Sequence, residues 1–236
     1  MTKENLYAPF HVKYDALKNE LMGNDIAAIR ELTLEVHAMV HPAEVSRCKE
    51  KTIADLVLDY VLDGHQNVPT SRMNSGIDLT YAGTDVVPMA WHLWHIYRIE
   101  DLVSNPLIAG KEQIFNADWQ SRIGASITDT GNALEYAEAK EFCAGLNVAE
   151  LKQYMLEVGK NTRKIIANLT LPQVKNMVPE ENVMEILRVG GVTTDFRSVW
   201  LLIFWGRLTV GGMILTPLTD HHMYHLPPCL DVIMPD

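Results

Sequence analysis

Along most of the chain, apolar residues recur at three- and four-residue intervals, the spacing that lays them on one face of an α-helix. Ile26, Ile29, Leu32, Val36 and Val40 follow it. They predict a first helix over residues 12–41, bent at Gly23-Asn24 and ended by His41-Pro42, because the residue before a proline avoids helical backbone. A short helix is expected over residues 52–62, closing at Gly64. A second long helix starts near Pro88, with Met89, His92, Ile96, Ile99 and Val103 on one face. The third has the clearest pattern. Asn147 with Glu150 forms a capping-box-like start, and Leu151, Tyr154, Met155, Val158, Ile165, Ile166 and Leu169 then line one face. A short helix over 180–188, a hydrophobic helix from Thr194-Asp195 and a last helix from Gly212 complete the set. Asp85 and Asp195 are read as N-terminal caps or first-turn acids.

Strand signals are weak, and long helices with one apolar stripe each argue for an all-α antiparallel bundle with additional short helices. No linker rich in Pro, Gly or Ser divides the 236 residues, so residues 1–236 read as a single domain. The most apolar stretch is 199–218, but Gly206, Arg207, Gly211, Gly212 and Pro217 interrupt it. Two buried helical segments fit it better than a membrane span.

Composition narrows the partners. A net charge of -10 repels phosphate backbones and anionic membranes, which argues against nucleic acid and membrane as partners. Three widely spaced cysteines form no disulfide framework and fit a reducing, cytoplasmic setting, and no signal peptide is recognised at the polar N-terminus.

The candidate chemistry lies in the histidines. His221 and His225 stand four apart, one turn apart on a helix face, which suits two ligands of one metal ion. His222 points roughly 100° away from that face. His92 and His95 lie on or near the apolar face of the second helix. Buried imidazoles need a partner, and a metal, a backbone carbonyl or Glu100 would serve. His37 and His41 form another HxxxH pair, read as structural or supporting, and they are the main rival ligands. Arg98, Glu100 and Asp101 read as a solvated, charged helix end with local ion pairs. HExxH and Glu-x-x-His are absent, as are Walker A, GxSxG and GxGxxG. Tyr97, Asp101 and Tyr224 neighbour the histidines in sequence, but none stands out as a catalytic base.

The stretch Trp91-His-Leu-Trp-His-Ile-Tyr-Arg-Ile-Glu-Asp101 resembles the W-x-x-W-H-x-x-R-x-E-D helix of the DinB-like superfamily. Asn105-Pro-Leu-Ile, Gln113-Ile-Phe and Trp119-x-x-Arg-Ile-Gly are similar to the same group, as are His37-Ala-Met-Val-His41, Phe204-Trp-Gly-Arg-Leu-Thr-Val-Gly-Gly and His221-His-x-x-His225-Leu. The resemblance runs from about residue 25 to 226. It implies a four-helix bundle of up-down-down-up connectivity with one divalent ion, mapped here to His95, His221 and His225. His92, His222, His37 and His41 are alternates or supporting groups. It also implies a homodimer and, among members of known activity, thiol-dependent transfer or isomerisation with a low-molecular-weight thiol. A metal-dependent S-transferase or hydrolase acting on a small molecule is therefore expected, with a non-catalytic metal-binding or stress-response bundle, or a dimerisation module with structural histidines, as alternatives. Three imidazoles suit Zn or Ni foremost, then Fe or Cu. The chain departs from the family pattern at Leu226-Pro227-Pro228, where two prolines predict that the helix stops almost at His225.

Overall fold

Residues 2–72 and 86–235 are described by a computed structural model. The helical periodicity carries through as an all-α architecture with one short hairpin. The predicted first helix is two helices, α1 (Lys3–Glu20) and α2 (Ile26–Val40). The chain turns at residues 21–25 rather than bending, because Asp25 leaves helical backbone and its carboxylate accepts from the Ala27 and Ala28 amides. After α2 come α3 (Ala43–Ser46) and α4 (Ile53–Tyr60), the latter opened by a capping box of Thr52 and Asp55. Strands β1 (Pro69–Ser71) and β2 (Val86–Pro88) pair antiparallel, a hairpin the sequence pattern does not announce. Asp85 lies outside the described residues.

Helix α5 (Met89–Leu102) follows directly, then a π-helical stretch at Val103–Ala109 that contains Pro106. Without an N–H, Pro106 cannot bond the carbonyl four residues back, and the wider turn accommodates this. Helices α6 (Ala117–Ile123) and α7 (Tyr136–Gly145) lead to α8 (Val148–Asn168), which Asn147 caps as expected. The chain continues through α9 (Leu171–Lys175), α10 (Glu180–Arg188), α11 (Phe196–Gly206, capped by Asp195) and α12 (Val210–Leu215). A second proline-containing π-helical stretch, Thr216–Asp220, delivers the chain into α13 (His221–Ile233).

Helix α13 corrects one expectation: it runs through Pro227 and Pro228 to Ile233 instead of stopping at His225. Each internal proline costs about 3 kcal/mol of helix stability. Leu226, Cys229 and Leu230, all completely buried, anchor the helix beyond the prolines and offset that cost. The apolar stretch at 199–218 is divided between α11 and α12, and among the described residues no helix is long and apolar enough to cross a membrane.

The core has two parts. One gathers α4, α5, α7, α8 and α13 around Trp91, Trp94 and Met155. The other gathers α1, α2, α10, α11 and α12 around Val36, Trp205 and Met213. Helix α5 contributes to both and exposes none of its 14 residues. Its polar residues are thereby forced to find partners inside the protein.

Candidate metal centre

The histidines of α5 and α13 meet. The rings of His95, His221 and His225 stand with centroids 5.1, 4.6 and 4.6 Å apart in the three pairings. One nitrogen from each lies within 4.8 Å of the others. His95 and His225 are 3% and 5% exposed; His221 is less deeply buried.

The tautomers follow from what surrounds the rings. Nδ1 of His95 is 2.8 Å from the Thr130 carbonyl, which only accepts, so Nδ1 carries the proton and Nε2 keeps its lone pair. Nδ1 of His225 is 2.9 Å from Nδ1 of His92. With His225 as the donor in that pair, its Nε2 keeps its lone pair, 3.2 Å from Nε2 of His221. Two imidazole ligands at about 2.0–2.1 Å from a tetrahedral ion stand about 3.3 Å apart, so this spacing fits an ion between them. Burial pushes the His92 and His95 pKa values down to about 3 and those of His221 and His225 well below the usual range. All four rings are neutral at pH 7, the form that binds metal.

Thr130 is held in place by α5 itself. Trp91 and Trp94 donate their indole N–H groups to the carbonyls of Gly131 and Asp129, both at 3.0 Å. His95 donates to Thr130, and Arg98 to Thr128 at 2.9 and 3.1 Å. One face of α5 thus reads four consecutive carbonyls of residues 128–131. Trp91 also stacks on His95 at 4.5 Å and 12°. Gly131 sits at a φ of +74°, and a Cβ there would lie 2.8 Å from the Trp91 indole nitrogen, so only glycine fits.

A second buried group lies beside the first. Glu100 of α5 is completely buried and receives three imidazoles. His37 Nε2 is 3.1 Å from Oε1, and His41 Nε2 and His222 Nε2 are 2.5 and 3.3 Å from Oε2. His37 of α2 and His41, the residue that caps its C-terminus, stack at 3.6 Å and 11°. Burial alone would raise the Glu100 carboxyl, but His41, His222 and His37 hold it well below the usual range. Burial lowers all three imidazoles, His222 to about 4. The combination is an ionised carboxylate among neutral rings.

The charged end of α5 is therefore not solvated as expected: Arg98, Glu100 and Asp101 are all completely buried. Asp101 accepts from the Ile114 and Phe115 amides, Asn105, Tyr154 and Arg98, tying the following loop and α8 to α5. The sequence reading missed the Thr128–Gly131 carbonyls and the burial of Glu100. The signal available for Glu100 was its place four residues after Ile96 and eight after His92, in line with the apolar stripe. His222 turns away from the triad, as its spacing predicts, and faces Glu100. His92 supports His225 rather than joining the group of three.

No protein-family model and no curated protein matches this chain.

Proposed function

We propose that the chain is a DinB-like metal-binding protein whose single functional ion is held by His95, His221 and His225. The observation that carries this reading is the convergence of three neutral imidazoles, two with their outer nitrogens already engaged by Thr130 and His92. Helices α2, α5, α8 and α13 would then be the long members of an up-down-down-up bundle. In support, α5 packs on α8 and α13, and α2 packs on α8.

Zn or Ni is the proposed ion, and when bound it would lower the pKa of a water or thiol at its fourth position, supplying a nucleophile near neutral pH. The protein's own part is to hold the three rings. Trp91 and Thr130 orient His95, and His92 engages Nδ1 of His225. The reaction class proposed is S-transfer from a low-molecular-weight thiol, or hydrolysis, on a small molecule. A homodimer in the cytoplasm completes the proposal; Met184 of α10 and Ile203 of α11, 47% and 57% exposed, are apolar side chains that a second copy would cover.

The deep burial of His95 and His225 favours a second reading, a metal-holding bundle without catalysis. Elemental analysis of purified protein with and without His95→Ala, followed by a thiol-conjugation screen, separates the readings. The metal-dependent readings expect bound metal that the variant loses. A metal-free protein with no metal-dependent melting shift would sink both. Conjugation abolished by chelation selects the enzyme.

A further inference from the structure

The Glu100 group brings three imidazoles and a carboxylate together in fully buried space. Nδ1 of His41 is 2.8 Å from the His37 carbonyl, so it carries a proton, and in a neutral ring Nε2 keeps its lone pair. That nitrogen is only 2.5 Å from Oε2 of Glu100, which is also an acceptor. His222 Nε2 approaches the same oxygen to 3.3 Å, off the ideal hydrogen-bond direction, and the ring also lies near the Val40 carbonyl. A second proton on His41 would make that contact a charged hydrogen bond. A cation between the rings and the carboxylate resolves the first contact and offers His222 Nε2 a partner.

We propose that His37, His41 and Glu100 bind a second divalent transition-metal ion, with His222 supplying a further nitrogen beside it, independently of the site formed by His95, His221 and His225. One nitrogen from each histidine and one Glu100 oxygen lie within 4.8 Å of one another. Two imidazoles and a carboxylate are a donor set that suits Zn or Fe(II). Every residue of this set is completely buried. The ion therefore has a structural role, clamping α2 to α5 where the two parts of the core adjoin.

Gly159 of α8 adds a physical reason for the close approach. A Cβ there would stand 3.0 Å from Cδ2 of His41 and 3.0 Å from Val45. Glycine lets α8 press on the back of the ring while its Nε2 is held toward Glu100.

The test is metal stoichiometry of the full chain, stripped by chelation and reloaded with zinc, for the unmodified protein, Glu100→Gln, and His221→Ala/His225→Ala. Two ions in the unmodified protein, falling to one in each variant, is the expected result. One ion that Glu100→Gln keeps and the double variant loses overturns this proposal and leaves the proposed function standing. One ion lost only from Glu100→Gln supports this site and overturns the other. No ion in any form overturns both. If Glu100→Gln fails to fold, anomalous diffraction from zinc-loaded crystals of the unmodified chain decides: a peak among His37, His41 and Glu100 supports the site, and its absence overturns it.

Discussion

The imidazoles of His95, His221 and His225 converge on one another, whereas those of His37, His41 and His222 close on a carboxylate. The first group is assembled from two helices, with a backbone carbonyl and a fourth histidine behind it. It retains one less-buried ring, His221. The second draws on α2, α5 and α13, is wholly buried, and carries its own negative charge. The difference teaches how one residue type serves two ends. Three neutral rings can hold an ion by themselves, while rings around a buried carboxylate bring the charge that joins helices from different parts of the core.

The largest expected effect uses acid, which strikes both groups. Burial lowers His92 and His95 to about 3 and His222 to about 4, from an unfolded value of 6.5. Between those limits the unfolded chain binds more protons, so stability rises with pH. Chelated protein should hold full stability above pH 6.5 and lose it steadily as pH falls toward 4. Thermal melts across that range check this, and a flat melting temperature from pH 7 to 5 would contradict neutral, buried rings.

Next in size is a paired substitution that separates the groups. Glu100→Ala strips the shared partner from three imidazoles and should cost about 3 kcal/mol or more in urea unfolding of the chelated protein. His92→Phe removes one partner from His225 and should cost about 1 kcal/mol. Equal losses would erase the contrast drawn between the groups.

The smallest effect comes from Gly159→Ala. Overpacking against His41 and Val45 should cost about 1–3 kcal/mol, partly offset by the roughly 1 kcal/mol that alanine gains over glycine in a helix. The same variant should weaken zinc binding at the Glu100 group and leave the other group unchanged. A variant more stable than the parent, with zinc binding intact, would show that α8 can step back.

How far the sequence could be read depended on whether a helix had two different faces. Helix α8 has an apolar and a polar side, so its cap and stripe were legible from Asn147 to Leu169. Helix α5 has no solvent side, and periodicity cannot distinguish buried polar residues from exposed ones. Its motif of two tryptophans, a histidine and an arginine makes sense only beside the carbonyls of residues 128–131, and a backbone partner has no sequence signature. Helices α6 and α7 are short and mixed in pattern, and neither was foreseen. The length of α13 was misjudged because local proline chemistry was weighed without the buried Leu226, Cys229 and Leu230. The histidine spacings were legible because i,i+4 geometry is local; which carboxylate they would meet was not.

His221 and His222 are joined by one peptide bond, yet one faces His95 and the other Glu100. Any twist of α13 that improves the fit at one group must therefore disturb or improve the other. In the language of linkage, binding at one group changes affinity at the other only if it moves that shared turn, and then by a factor that must hold in both directions. The two groups are thus separate in their donors and joined through α5 and the first turn of α13.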